Sequence, residues 1–151
     1  MVKNSADQLL LKIREKKNPC IVGLDPRVDQ IPEHLKADKK GYDNPFEAVR
    51  DTLIDFNRLL IDAIKDIVPA VKPQMAFFEQ YGSAGVQAFE ATVKYAKQND
   101  LIVIEDAKRN DIGSTVRAYA NGHLGEVTML DNSQRPSFNA DFLIVSPFFR
   151  Q

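Results

Sequence analysis

The sequence predicts an α/β fold, a parallel β-sheet covered by helices. Two observations carry this. Four short runs, at 20–25, 70–74, 101–106 and 140–145, are almost continuously apolar, as strands buried on both faces are. Between them, apolar residues recur at spacings of three and four, the period of a helix with one buried face. Strands and helices in alternation give a parallel sheet. Open doubly wound sheets and closed (β/α)8 TIM-type barrels share this pattern. In both, chemistry sits at the carboxyl ends of the strands.

The elements follow in order. Ser5 is placed to cap a first helix whose apolar stripe is Leu9, Leu10 and Ile13. The run from Cys20 to Asp25 reads as a buried strand ending in an acid, with Cys20 as a small buried hydrophobe. A polar loop with Pro26 and Pro32 extends to about Gly41. Asn44-Pro45 has the form of a helix start, a capping side chain followed by proline at the first helical position. Phe46, Val49, Leu53, Phe56, Leu60 and Ile64 then mark a long one-faced helix, and Pro69 breaks it. Ala70-Val71-Lys72-Pro73-Gln74 is the second strand. Val86, Phe89, Val93 and Ala96 place a helix over 83–97, and Asn99-Asp100 turns the chain. The third strand is 101–106, a helix follows over about 111–120, and a polar loop holds Asp131, Asn132, Ser133 and Pro136. The fourth strand is 140–145. No repeat and no interdomain linker interrupts the pattern.

Composition narrows the function classes. Net charge is −1, and the sequence has no basic block large enough to suggest a nucleic-acid footprint and no polybasic segment for a membrane surface. The apolar runs are far shorter than the roughly 18 residues that span a bilayer. Met1-Val2-Lys3 leads into a charged amphipathic stretch rather than a secretory leader. One cysteine precludes an intrachain disulfide, and a reducing cytoplasm fits. One Cys and two His make a Cys/His metal site an unpromising reading. His34 and His123 show no partner pattern.

The residues that close the strands therefore carry the functional question. Asp106 and Lys108 are two apart, and on an extended segment both point to one face. Asp111 follows where a helix begins, giving Asp-x-Lys-x-x-Asp. Lys72 ends the second strand and Asp25 the first. Simpler roles exist for each: Asp111 is placed to cap a helix, Asp25 before Pro26 to form a turn. Ser114 and Thr115 fall in the first helical turn, where amide donors meet anions. Ser146 ends the fourth strand and is expected to touch a ligand there. Glu79, after Phe77-Phe78, reads mainly as a surface residue.

Ile104-Glu105-Asp106-Ala107-Lys108-Arg109-Asn110-Asp111-Ile112-Gly113-Ser114-Thr115 resembles the signature of orotidine 5′-phosphate decarboxylases. Val22-Gly23-Leu24-Asp25-Pro26-Arg27 resembles their first strand. Val71-Lys72-Pro73-Gln74-Met75-Ala76-Phe77-Phe78-Glu79 resembles the second in the longer-chain bacterial subgroup, and Ala140 to Phe148 the fourth. The resemblance implies a (β/α)8 barrel, a homodimer, and no metal or organic cofactor. It implies that Lys72, Asp106, Lys108 and Asp111 form an alternating charge network. Asp111, Ile112 and Thr115 would reach the partner subunit's site, Asp25 and Lys72 would bind the ribose, and Lys108 would deliver the proton. A barrel takes about 250 residues, so residues 1–151 are expected to be the first four β/α units, one half-barrel domain with no second domain. The phosphate grip of such enzymes lies beyond that half, and the isolated chain is expected to turn over little without it. Two other readings stand beside this one. A metal-dependent sugar-phosphate decarboxylase or synthase on the same scaffold would use Glu105, Asp106 and Asp25 as ligands. A half-barrel oligomerisation module would have no activity.

Overall fold

The computed structural model of the chain describes residues 4–147. The reading of the Met1-Val2-Lys3 start and the match at Phe148 lie outside the described residues. Six strands and five helices follow in the order α1 (Ser5–Lys16), β1 (Ile21–Leu24), α2 (Pro45–Ile64), β2 (Ala70–Pro73), α3 (Ala76–Glu79), α4 (Gly82–Gln98), β3 (Ile102–Arg109), α5 (Gly113–His123), β4 (Glu126–Thr128), β5 (Gln134–Pro136) and β6 (Phe142–Val145). Strands β1, β2, β3 and β6 form a four-stranded sheet in that order, and every pairing in it is parallel. A doubly wound sheet reverses strand order at its centre. This sheet does not, and its sequential order is that of consecutive barrel strands.

Register assigns the two faces. Val22, Val71 and Val103 are partners across β1, β2 and β3. They pack into the core with Leu53 and Ile61 of α2 and Phe89 and Val93 of α4. Each such side chain, fully buried, contributes roughly 1.5–3 kcal/mol. Ile21, Ala70 and Ile102, one residue earlier in each strand, lie on the opposite face. Lys72, paired with Gly23, belongs to that second face too. The sheet thus sets an apolar face against helices and turns its charged strand ends to the other side.

Several local expectations change. Asn4, not Ser5, caps α1, accepting from the Asp7 amide; α1 buries none of its residues, and Leu10 is exposed. Asn44 caps α2 with Pro45 at its first position, as expected. That helix ends at Ile64, five residues before Pro69, in a turn closed by the Ile67 and Val68 amides on the Ile64 carbonyl. Cys20 is exposed; it lies one residue before β1, and its amide donates to the Asn18 side chain. The polar loop around Asp131 is the tip of a β-hairpin, β4 antiparallel to β5. Its strands have too few apolar residues to announce themselves.

Candidate active site

Three strand ends are tied together before any side chain is considered. The Gln74 amide donates to the Leu24 carbonyl at 3.2 Å, and the Met75 amide donates to the Asp106 carbonyl at 3.1 Å. Gln74 and Asp106 also form a parallel bridge beyond the regular pairing. The ends of β1, β2 and β3 therefore keep fixed separations.

Strand β3 runs three residues further than its apolar run. Its register against β6 slips between Glu105 and Arg109, and inside the slip Lys108 has φ of 51°. Lys108 thus does not continue an extended alternation. It still meets Asp106, because the left-handed turn brings its side chain back over the strand end. Lys108 Nζ donates to Asp106 Oδ1 at 2.5 Å, and Lys72 Nζ donates to Asp106 Oδ2 at 2.9 Å. One carboxylate holds two ammonium groups, one on each oxygen.

Asp106 is 6% exposed. Burial is the largest single influence on its acidity and pushes the pKa up. The hydrogen bonds from Lys108 and Lys72, with the charges behind them, outweigh it and hold the carboxyl below its ordinary value. The Lys72 side chain is one-third exposed, and that of Lys108 is 59% exposed. Both ammonium groups are thus anchored from behind and open in front, the arrangement that stabilises negative charge developing on a bound molecule.

The other expected residues fall around this centre. Asp25 is exposed, just past the end of β1. It lies one strand period beyond Gly23, the register partner of Lys72, and forms no hydrogen bond among the described residues. Asp111 does not cap α5. The cap position is Ile112, whose amide is taken by Asp111 Oδ1 at 2.8 Å. Within this chain Asp111 is not brought to Lys108. Ile112 is 71% exposed, and Thr115 is exposed in the first turn of α5. Ser146 is half-buried, and its amide donates to the Arg109 carbonyl at 3.3 Å.

Two pairs were not foreseen. His123, expected to be structural or exposed and without a partner, is buried. Its Nδ1 meets Oε1 of fully buried Glu105 at 2.8 Å. The imidazole stacks on Phe138 at 5.0 Å and Tyr119 at 6.1 Å. Glu105 Oε2 has no hydrogen-bond partner among the described residues. The sequence held a signal for this: alternation puts Glu105 on the helix face of β3, where a carboxylate needs a partner. Glu79 is exposed, as expected, but not unpaired. It pairs with the Arg109 guanidinium, which also donates to the Ala107 carbonyl at 3.1 Å. Because Glu105 faces His123, it cannot converge with Asp106 and Asp25 as a metal ligand. Among the described residues no group of three or more His, Cys, Asp or Glu is placed to hold a metal ion. Nor is any described helix long and apolar enough to cross a membrane.

Comparison with known proteins adds to this geometry. The model of the orotidine 5′-phosphate decarboxylase / HUMPS family matches residues 20–149. An orotidine 5′-phosphate decarboxylase of Caldicellulosiruptor saccharolyticus is 34% identical over 151 residues, 98% of this chain and 48% of the relative. One from Rhodopirellula baltica is 41% identical over 146 residues, 95% of this chain and 45% of the relative. Among solved structures, a Toxoplasma gondii protein assigned as an orotidine-monophosphate decarboxylase aligns with a TM-score of 0.69 at 29% identity. That alignment covers 95% of this chain and 40% of the other. The chain spans about half the length of the curated relatives it matches.

Proposed function

The chain belongs to the orotidine 5′-phosphate decarboxylase / HUMPS family, and from that premise we propose that it carries the charged core of an orotidine 5′-phosphate decarboxylase. The reaction is the conversion of orotidine monophosphate to UMP and CO2, a step of pyrimidine biosynthesis. In this reading residues 1–151 are one half-barrel domain, and the substrate's phosphate is gripped by parts of the barrel beyond it. The observation that carries the proposal is the Lys72–Asp106–Lys108 constellation at the carboxyl ends of adjacent parallel strands.

Loss of CO2 leaves an electron pair on the ring carbon. The Lys108 ammonium faces that carbon, stabilises the pair as it forms, and then gives up a proton to it, so that a C–H bond replaces the C–C bond. At 4 Å and an effective dielectric near 20, one such charge is worth about 4 kcal/mol. Asp106 holds and aims the Lys108 ammonium, and Lys72 balances the buried carboxylate. Lys72 with Asp25 binds the ribose, and Ser146 contacts the substrate. Asp111, Ile112 and Thr115 complete the site of a partner subunit in a cytoplasmic homodimer. The exposure of Ile112 and Thr115 at the start of α5, and the absence of an Asp111–Lys108 contact within the described chain, support this last assignment. No step uses a metal or an organic cofactor.

The test begins with the intact mass of the purified protein. The same sample is then assayed for loss of orotidine monophosphate absorbance, with and without chelator. Chelator-resistant turnover by the full-length protein, and little by a 17.0 kDa chain alone, is the expected result. Turnover abolished by chelator would overturn the metal-free step.

A further inference from the structure

Resting on the proposed role of Lys108, we infer that the short helix α3 is a clamp that sets the position of this lysine, with Glu79 and Arg109 as its positioning residues. The contacts form a closed circuit. At one end of α3 the Met75 amide holds the Asp106 carbonyl at 3.1 Å. At the other end Glu79 holds the Arg109 guanidinium. The guanidinium returns to the Ala107 carbonyl at 3.1 Å and lies over the Tyr119 ring of α5 at 6.0 Å. Lys108 lies between the two attachment points, in the one left-handed residue of β3.

Lys108 needs such a device. A left-handed backbone is disfavoured for a residue with a Cβ, and it persists only where the surroundings over-determine it. The register slip between Glu105 and Arg109 removes the regular ladder that would otherwise hold the strand at this point. A partly exposed ion pair contributes little to stability on its own. Its use here is geometric: a planar guanidinium can serve a carboxylate, a carbonyl and a ring face at once, and a lysine ammonium cannot. Neither Glu79 nor Arg109 is assigned contact with the substrate; they act through Lys108.

The test reads Lys108 directly. The ¹⁵Nζ shift of Lys108, observed through its Hε protons and assigned by Lys108→Met, reports its contact with Asp106. The exchange rate of the Ser146 amide reports the Arg109 carbonyl it donates to. In Glu79→Ala, Arg109→Ala and Arg109→Lys the Lys108 shift is expected to move toward that of a free lysine. Ser146 exchange is expected to quicken about tenfold in the same variants. Glu79→Gln, which keeps the acceptor oxygen, is expected to retain both signals. In the full-length protein Glu79→Ala should lower kcat with KM little changed. If Glu79→Ala or Arg109→Ala fails to fold, Arg109→Lys and Glu79→Gln still decide. Wild-type values for both signals in a folded Arg109→Lys variant overturn the clamp. A wild-type protein that does not decarboxylate, yet shows the expected shifts, keeps the clamp and removes the proposed function instead.

Discussion

Glu105 and Asp106 are consecutive carboxylates of β3 that serve opposite faces of one sheet. Asp106 holds Lys72 and Lys108 on the open face, whereas Glu105 holds His123 among the helices. The same alternation that sets Asp106 on the open face buries its neighbour, so the two acids are expected to fail in different ways when changed.

His123→Ala leaves the Glu105 carboxylate buried with no partner on either oxygen. Leaving a buried polar group without its hydrogen-bond partner costs about 1–3 kcal/mol, more if it is charged. Glu105→Gln keeps an acceptor for the imidazole and should cost only about 1 kcal/mol. Urea unfolding of the three proteins checks the order. A loss in His123→Ala no larger than in Glu105→Gln would show that the pair is not the fastening between β3 and α5.

Much of this architecture was legible in the sequence, for physical reasons that also explain the gaps. Val22, Val71 and Val103 sit in continuous apolar runs, and such runs announce buried parallel strands. Asn44-Pro45 wrote a helix start in two residues. Lys72, Asp106 and Lys108 could be singled out because they close apolar strands at the carboxyl ends, where parallel α/β folds place their chemistry. The hairpin was illegible because β5, Gln134–Pro136, has no apolar side and is exposed throughout. The left-handed turn at Lys108 was equally hidden: glycine or asparagine usually marks such a turn, and lysine does not. Long-range partners such as Glu79 with Arg109 leave no periodic trace.

Asp106 gives a pH dependence with a fixed sign. Its folded pKa is depressed by the two ammonium groups that overcome burial. The stability it contributes is therefore fully present above its unfolded pKa, near 3.9, and is lost as pH falls through the lower folded value. Asp106→Asn should show a smaller loss of stability than wild type across that acid window. The check is a series of unfolding midpoints measured downward from pH 5. Parallel curves for the two proteins would mean that the carboxylate titrates as if unpaired.

Lys108 separates backbone cost from chemistry. Lys108→Ala and Lys108→Gly both remove the ammonium, and about 4 kcal/mol of stabilisation lost from the transition state is roughly a thousandfold in rate. Turnover of the full-length protein should fall by at least that in both. Their stabilities should differ: at φ of 51° a Cβ costs roughly 1 kcal/mol that glycine does not incur. Lys108→Gly should therefore unfold at higher urea than Lys108→Ala. The reverse order would mean that the left-handed turn opens once the lysine is gone.

Gly85 tests the seating of α3 without touching a charged group. A glycine inside a helix ordinarily costs about 1 kcal/mol relative to alanine, so Gly85→Ala in α4 would be expected to stabilise. Here a Cβ at position 85 would stand 1.8 Å from the Phe78 carbonyl oxygen and 3.1 Å from the Tyr81 Cβ. The obstacle is backbone of α3, which cannot turn aside as a side chain does. The sign should invert, to a loss of about 1–3 kcal/mol from overpacking. Relief requires α3 to move away from α4, and α3 carries both Glu79 and the attachment of Met75 to Asp106. Gly85→Ala should therefore shift the Lys108 Nζ resonance as well as lower the unfolding midpoint. A destabilised protein with an unchanged Lys108 resonance would mean that α3 can move without carrying the lysine with it.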